Sequence, residues 1–505
     1  MRAALRAFIN IGMQISTWSR ASEDGNDLLT RINRLISLEL NIVHRATSNG
    51  VPMAMTQDIL SRLKRLDGRM ANWIPPRETW TPAEQALYRP VDLYRVPKDE
   101  AEEMQLNAIR YAFAHHYKNS KFYHKYCQEQ NVRPDDIKIS NDLEKIPLIS
   151  DSTFKTHPSG ADFAYWLATV FTSDLPKIVI KGADPTFDEV INAFNAAGLA
   201  VKTSSGTSGM LSVVPRDKRT FLACQYGYAK AVNSMIDEFS DDAFMLFPDP
   251  TQTNFFTATG PSINVLLSKE IHFAQIEMPS STEMASKAKT KPKGEANSSA
   301  RGGMLQLIVD QALRWLEQHN ATQEAIFLAG PPFLIIHFMN MLQNEGKRCT
   351  FGERASILTG GGWKTSENER ISLEAFRSQV HDVLGIPETH CIDAYSMSEA
   401  NGLMVQCPEG HYLHIPYTYL KPLILGKDLT PVGYGESGRL AFLDAIAGSY
   451  PGFIITGDQA TMLEHCPVCD RPGPVLEPEV QRAQGVEVRG CAEQVSRVIA
   501  ETLEQ

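Results

Sequence analysis

The stretch Val201-Lys-Thr-Ser-Ser-Gly-Thr-Ser-Gly-Met210 carries the strongest chemical signal in the chain. Ser204, Ser205, Thr207 and Ser208 bring hydroxyls, while Gly206 and Gly209 have no Cβ to hold a backbone N–H away from an anion, so the loop suits a polyphosphate. A plain Ser/Gly linker is the competing account. Against it, apolar Ala197–Val201 precedes the loop and Val213-Val-Pro215 follows it, which predicts a turn between two pieces of a sheet. The Gly-Lys-Ser/Thr ending of a Walker loop is missing, which disfavours an ordinary P-loop NTPase.

Three shorter motifs lie downstream. Thr359-Gly-Gly-Gly-Trp-Lys364 follows the apolar run Ser356–Leu358; at a strand end, Gly361 and Gly362 let the backbone lie flat against a planar ring, with a tight turn as the alternative. Asp393-Ala-Tyr-Ser-Met-Ser-Glu399 groups an aromatic ring at Tyr395, hydroxyls at Ser396 and Ser398, and a carboxylate at Glu399. That set can stack a base, donate to a phosphate and ligate Mg²⁺ through oxygen, and it can equally cap a helix. Thr456-Gly-Asp458 ends the run Tyr450–Ile455, where a carboxylate suits a ribose diol or serves a turn.

A fourth group is rich in cysteine. Cys407, His411 and His414 precede Cys466-Pro-Val-Cys469. A CxxC pair with a distant Cys and His is the ligand set of a tetrahedral structural zinc site, with His414 favoured over His411; reduced thiols without a metal are the alternative.

The elements that must position these groups follow from pattern and composition. At 505 residues the chain can bury a large core. Its net charge of -10 argues against a nucleic-acid surface, and eight scattered cysteines suit a reducing cytoplasm better than a disulfide framework. No apolar run reaches the roughly 18 residues that would cross a bilayer. Residues 1–95 read as a helical extension, with an interrupted apolar pattern over 5–15, helical spacing over 28–43 and 57–70, and then a proline-rich connection. Over 96–480, apolar runs at 146–149, 244–247, 325–328 and 356–358 alternate with helices at 102–117, 221–235 and 333–342, which predicts an α/β core. Residues 279–303 read as a surface loop, and 481–505 as a short final segment with a helix.

In order and spacing, these motifs resemble the adenylate-forming superfamily, which contains acyl-CoA synthetases, aryl-CoA ligases and adenylation domains. The resemblance implies a large adenylate-forming domain of mixed sheets and flanking helices, with ATP and Mg²⁺ as its ligands. It assigns Ser204, Ser205, Gly206, Thr207, Ser208 and Gly209 to the phosphates, and Gly361, Gly362 and Lys364 to the nucleotide near adenine. Tyr395, Ser398 and Glu399 would serve the nucleotide and metal, and Asp458 the ribose. One departure stands out: the loop continues Met210-Leu-Ser212, where the family usually has a Pro-Lys pair. Phenylacetate-CoA ligase-like enzymes are similar around the cysteine group, which supports the zinc reading of Cys407, His414, Cys466 and Cys469.

Typical members continue into a small mobile domain past the hinge, whereas this chain carries a truncated end. Arg482 resembles the hinge arginine, and Val486–Arg489 the short strand after it. That end, with Gly361-Gly-Trp-Lys364 and Ser449-Tyr-Pro-Gly-Phe453, is similar to bacterial acyl-protein synthetases of the LuxE type over roughly residues 100–505. The resemblance implies that a fatty acid is activated as acyl-AMP and moved to a cysteine near the C-terminus, from which a reductase or carrier protein receives it. Cys491 stands at that acceptor position, after Arg489-Gly490, and would be catalytic together with Glu399 and Ser398; a buried apolar role is its alternative. Phe247, Phe255, Phe256, Ala329, Gly330 and Phe333 are candidates for an apolar acyl pocket. Three other readings stay open: an acid–CoA ligase, a biosynthetic ligase that acylates an amine or carrier protein, and a non-catalytic scaffold.

Overall fold

The computed structural model describes residues 53–172, 174–204, 211–236, 240–256, 268–276, 282, 298–363, 369–483 and 489–503. The helix expected over 28–43, the loop residues Ser205–Gly209 and Lys364 lie outside them. The chain forms two compact units, Met1–Ser61 and Arg62–Gln505. The boundary expected near residue 95 therefore falls inside the second unit. Trp73 Nε1 donates to Gln225 at 3.0 Å, Glu84 pairs with Arg219 at 2.5 Å, and the Tyr226 hydroxyl donates to Asp67 at 2.6 Å, tying residues 62–95 to the core helix that carries Arg219, Gln225 and Tyr226.

The described helices and strands follow in chain order. Helices α1 (Met53–Arg69), α2 (Pro82–Tyr88), α3 (Lys98–Asn119) and α4 (Lys121–Glu129) lead to strand β1 (Ile149–Ser150), then α5 (Ala161–Val170) and α6 (Phe187–Ala196). A hairpin of β2 (Ala200–Thr203) and β3 (Val213–Arg216) precedes α7 (Lys218–Met235), β4 (Asp242–Met245) and β5 (Glu270–Phe273). Next come α8 (Ser298–Asn320), β6 (Ile326–Gly330), α9 (Pro332–Asn344), β7 (Ala355–Gly360), α10 (Leu373–Leu384) and β8 (Cys391–Tyr395). Strands β9 (Met404–Gln406), β10 (Leu413–His414), β11 (Leu420–Leu425), β12 (Ser437–Asp444), β13 (Phe453–Leu463), β14 (Val475–Leu476) and β15 (Gln481–Arg482) precede the final helix α11 (Arg489–Leu503).

Local chemistry accounts for several boundaries. Thr81 and Glu84 form a capping box at the start of α2, where Pro82 occupies a position whose N–H has no helical partner. Ser372 caps α10, and Gly385 ends it in the left-handed region at φ 69°. Two expectations are corrected. Residues 298–303, read as the end of a surface loop, belong to α8, which Ile308 and Val309 bury further along against the sheet. Arg489, read as the end of a short strand, opens α11.

One large sheet runs in the order β11-β12-β13-β14-β10-β9-β8-β7-β6-β4-β5, with β1 and β15 also paired to β13. The five strands β5-β4-β6-β7-β8 are parallel to one another. Parallel neighbours need crossovers, and α8, α9 and α10 supply them between β5, β6, β7 and β8. Those helices and strands enclose a core that includes Phe244, Ile308, Leu334, Phe338, Ile357, Phe376 and Val380. Each such side chain contributes roughly 1.5–3 kcal/mol on burial. In an open sheet of this kind, ligands bind beyond the carboxyl ends of the strands.

Candidate active site

The hairpin expected around the Ser/Gly loop is present: β2 and β3 pair antiparallel, from Ala200↔Arg216 to Thr203↔Val213. The ends of the loop are pinned to each other, because Ser204 N donates to Ser212 O at 2.9 Å and Ser212 N donates to Ser204 Oγ at 2.9 Å. Ser212 Oγ then donates to Glu399 Oε1 at 2.5 Å, so the foot of the loop touches the motif that follows β8.

Strands β7 and β8 lie side by side, with Thr359↔Asp393 and Gly360↔Ala394 in register. Thr359 Oγ1 donates to the Asp393 carboxylate at 2.5 Å. Just past the strand, Gly361 and Gly362 take φ values of 79° and 65°, a conformation that side chains with a Cβ rarely adopt. The three-glycine turn thus sits at a carboxyl strand end beside Tyr395, the last residue of β8.

Tyr395 reaches the third motif. Its hydroxyl donates to Asp458 Oδ2 at 2.8 Å, and Arg482 Nη1 lies 3.0 Å from Asp458 Oδ1. This juxtaposition is built by the sheet, since Asp458 on β13 faces Arg482 on β15 in register. Burial, followed by the charge of Asp458, holds the Tyr395 phenol far above its usual range, so it stays a donor. Tyr395, Glu399, Asp458 and Arg482 are therefore brought into one region. Ser398 is buried next to them and its carbonyl accepts from Arg216 Nη2 at 2.6 Å.

Glu399 is buried, and burial pushes its carboxyl up; Lys155 pulls it back down and Asp151 adds to the rise. For Lys155, burial works against the charge, but Glu399 and Asp151 outweigh it and keep the ammonium charged. Two carboxylates around one lysine leave an excess of hard oxygen donors, the donor type that Mg²⁺ takes.

Sequence reasoning missed three groups here. The turn 151–154 and Lys155 are one. The second is Arg216, fully buried, which donates to Asn401 Oδ1 at 2.7 Å, Ala400 O at 3.2 Å and the Tyr450 hydroxyl at 3.1 Å, and lies over the Phe256 ring at 4.6 Å. The third is Asp444, which accepts from Asn401 N at 2.6 Å and Ile446 N at 2.9 Å and so fixes the backbone after Glu399. Val213-Val-Pro-Arg216 carries no alternation that would have marked Arg216, and all four residues are buried. Of the pocket candidates, Phe247 and Phe255 pack together, Phe256 meets Arg216, and a Cβ on Gly330 would strike Leu246 at 2.5 Å, so Gly330 serves close packing.

The cysteine group also comes together. Cys407 follows β9, His414 lies on β10, and Cys466 and Cys469 lie between β13 and β14, with their four ligand atoms all within 4.8 Å of one another. Cys469 Sγ is 3.3 Å from His414 Nε2, and Cys407 Sγ is 4.0 Å from Cys466 Sγ. Tetrahedral zinc with Zn–S bonds of about 2.3 Å spaces its sulfurs about 3.8 Å apart, so this donor set fits zinc. Cys469 beside it, then burial, lifts the Cys407 thiol, while Cys407 and His414 depress that of Cys469 against the effect of burial. His411, at φ 58°, lies outside the cluster.

Cys491 falls in the first turn of α11. The other seven cysteines are all free thiols. Burial pushes Cys127, Cys224 and Cys391 up to about 12 and Cys349 up to about 11, and the remaining three form the cluster with His414. No described helix is long and apolar enough to cross a membrane.

This architecture is the fold class of solved 2-hydroxyisobutyryl-CoA ligase structures. Two structures of 2-hydroxyisobutyryl-CoA ligase superpose with TM-scores of 0.55 in the postadenylation state and 0.53 in an open conformation with 2-HIB-AMP and CoA. Both are 14% identical, and they cover 82% and 83% of this chain and 75% and 76% of theirs. Within that class, residues 192–500 match the family described as acyl-protein synthetase, LuxE, and the chain belongs to this family. It is 24% identical over 399 residues to the long-chain-fatty-acid–luciferin-component ligase of Vibrio harveyi, covering 79% of this chain and 89% of the relative. The Aliivibrio fischeri protein of the same name is 23% identical over 410 residues, covering 80% and 91%.

Proposed function

We propose that this chain activates a long-chain fatty acid with ATP as acyl-AMP, holds the acyl group as a thioester on Cys491, and passes it to a partner protein. The observation that carries the reading is the meeting of Tyr395, Asp458 and Arg482 beside the carboxyl end of β8, whose following motif makes the Ser212–Glu399 contact at the foot of the Ser/Gly loop. The chain length of the acid is taken from the names of the relatives.

A carboxylate is a poor electrophile, and its mixed anhydride with AMP supplies a good leaving group. In the first step a carboxylate oxygen bonds to the α-phosphorus while the α–β bridge breaks and pyrophosphate leaves with the electron pair. In the second, a thiolate attacks the acyl carbon and AMP departs. Asp458 would orient the ribose, with Tyr395 and Arg482 fixing its carboxylate. Ser204 to Gly209 would bind the phosphates, Gly361, Gly362 and Lys364 would lie near adenine, and Arg216 would hold the Ser398–Asn401 backbone. Glu399, seconded by Asp151, would hold Mg²⁺, which supplies positive charge opposite the phosphates. The set Cys407, His414, Cys466 and Cys469 would hold a structural zinc. Seven free thiols favour a reducing compartment such as the cytoplasm.

Incubation with labelled fatty acid and Mg-ATP, without CoA, tests the reading. Label should remain on the denatured chain and vanish in Cys491→Ala. Strict dependence on CoA would instead mark an acid–CoA ligase, and silence across a panel of acids a non-catalytic role.

A further inference from the structure

The Ser/Gly loop lacks the lysine that follows it in related ligases, and the turn before α5 contains one facing the same site. Lys155 Nζ lies 2.5 Å from Asp151 Oδ2, and its side chain is only 16% exposed. The turn is fixed by the sheet: Ser150 of β1 pairs with Ile455 of β13, directly before Thr456-Gly-Asp458. A Cβ on Gly457 would stand 3.0 Å from Arg482 Nη1 and 3.6 Å from Asp151 Oδ2, so the Asp151–Lys155 pair borders the Asp458–Arg482 pair. The charge of Glu399, which accepts from Ser212 at the foot of the loop, also acts on the lysine.

Lys155 thus stands beside Asp151, near the Asp458–Arg482 pair and within the charge influence of Glu399 at the loop foot. If the loop takes the outer phosphates and Asp458 the ribose, as the proposed function has it, Lys155 stands where the α-phosphate must pass. Lys202, at the entry to the loop, points elsewhere, with its ammonium over the Phe221 ring at 5.4 Å. A simple ion pair with Asp151 is the plainer role for Lys155, but an exposed surface would serve that role equally. Burying an ammonium is costly, and Asp151 and Glu399 offset that cost here; of its three N–H donors, the hydrogen bond to Asp151 takes one.

We infer that Lys155 contacts the α-phosphate of the nucleotide and of the acyl-adenylate, supplying from the N-terminal side the cation that the loop lacks. During adenylation the α-phosphorus gains the acyl oxygen as the pyrophosphate oxygen leaves, and an ammonium at the equatorial oxygens offsets the charge throughout. This inference rests on the proposed nucleotide site and adds one residue to it.

Binding of AMP and of adenosine, measured by calorimetry on the full chain, separates a phosphate contact from a structural one. Lys155→Ala should weaken AMP at least tenfold and leave adenosine within twofold, while Lys155→Arg should keep AMP within threefold of the wild type. AMP affinity unchanged in Lys155→Ala would overturn the inference. So would an equal loss of both ligands in either variant, which marks a structural lysine. A wild-type chain that binds AMP but exchanges pyrophosphate with no acid would refute the proposed function and leave the Lys155 contact standing.

Discussion

The Tyr395 hydroxyl and the Asp458 carboxylate meet at 2.8 Å across 63 residues of sequence, with Arg482 closing on the opposite carboxylate oxygen at 3.0 Å. Tyr395 ends a parallel strand and Asp458 lies in the middle of a long antiparallel one, so the contact marks where the two halves of the sheet converge on the site. A carboxylate oriented from both sides has little freedom left to lose when it binds a diol.

For that reason Asp458→Ala should raise the KM for ATP at least tenfold in pyrophosphate exchange, a loss of about 1.4 kcal/mol or more. Tyr395→Phe keeps the Arg482 pair and should cost only about threefold by the same reasoning. An Asp458→Ala chain with unchanged KM for ATP would remove this carboxylate from the nucleotide site.

Arg216 should matter for stability before it matters for rate. Its guanidinium is buried among Asn401, Tyr450 and two carbonyls, and Asp444 lies close enough for its charge to be felt. Arg216→Met leaves those acceptors and the buried carboxylate without their cation, at a cost of roughly 3–5 kcal/mol in urea unfolding. Arg216→Lys keeps the charge but not the planar fork, and should recover only part of the loss.

The cysteine cluster predicts one zinc per chain by elemental analysis. Cys466→Ser should lower that content and the Tm together, and a strong chelator should reproduce the drop in the wild type. Full metal content in Cys466→Ser would exclude the site.

His116 sets an acid-sensitive window. Its Nδ1 lies 3.0 Å from Thr172 Oγ1 and its Nε2 lies 2.7 Å from the Ala447 carbonyl. Burial, then the neighbouring His115, lowers it from 6.5 to about 3. Between those values the unfolded chain binds the extra proton. Stability is thus fully present above pH 6.5 and lost as the pH falls toward 3, at up to about 1.4 kcal/mol per pH unit from this group. His116→Gln should flatten that slope in denaturation series over the same range.

Much of the site was legible because its motifs are local. Thr359 to Gly362, Tyr395 to Glu399, Thr456 to Asp458 and the CxxC pair each hold their chemistry within a few residues, and their order alone pointed to the adenylate-forming fold. The amphipathic pattern likewise marked α1, α3, α7 and α9, because a helix that buries one face must repeat it along the chain. The helix that begins at Ser298 was missed, since the Ser, Gly and Ala of its first turns carry no apolar period.

The sequence by itself determined the class of chemistry and the residues that announce it. Only the tertiary structure decided which charges serve them. Among 49 lysines and arginines, nothing local distinguishes Lys155 or Arg216. Their partners Glu399, Ser398 and Asn401 lie more than 180 residues away, and only burial shared across the packed sheet gives such a pair its strength. The four zinc candidates sat between these cases: their types were plain in the chain, but the choice of His414 over His411 became a matter of distance once β9, β10 and β14 had aligned.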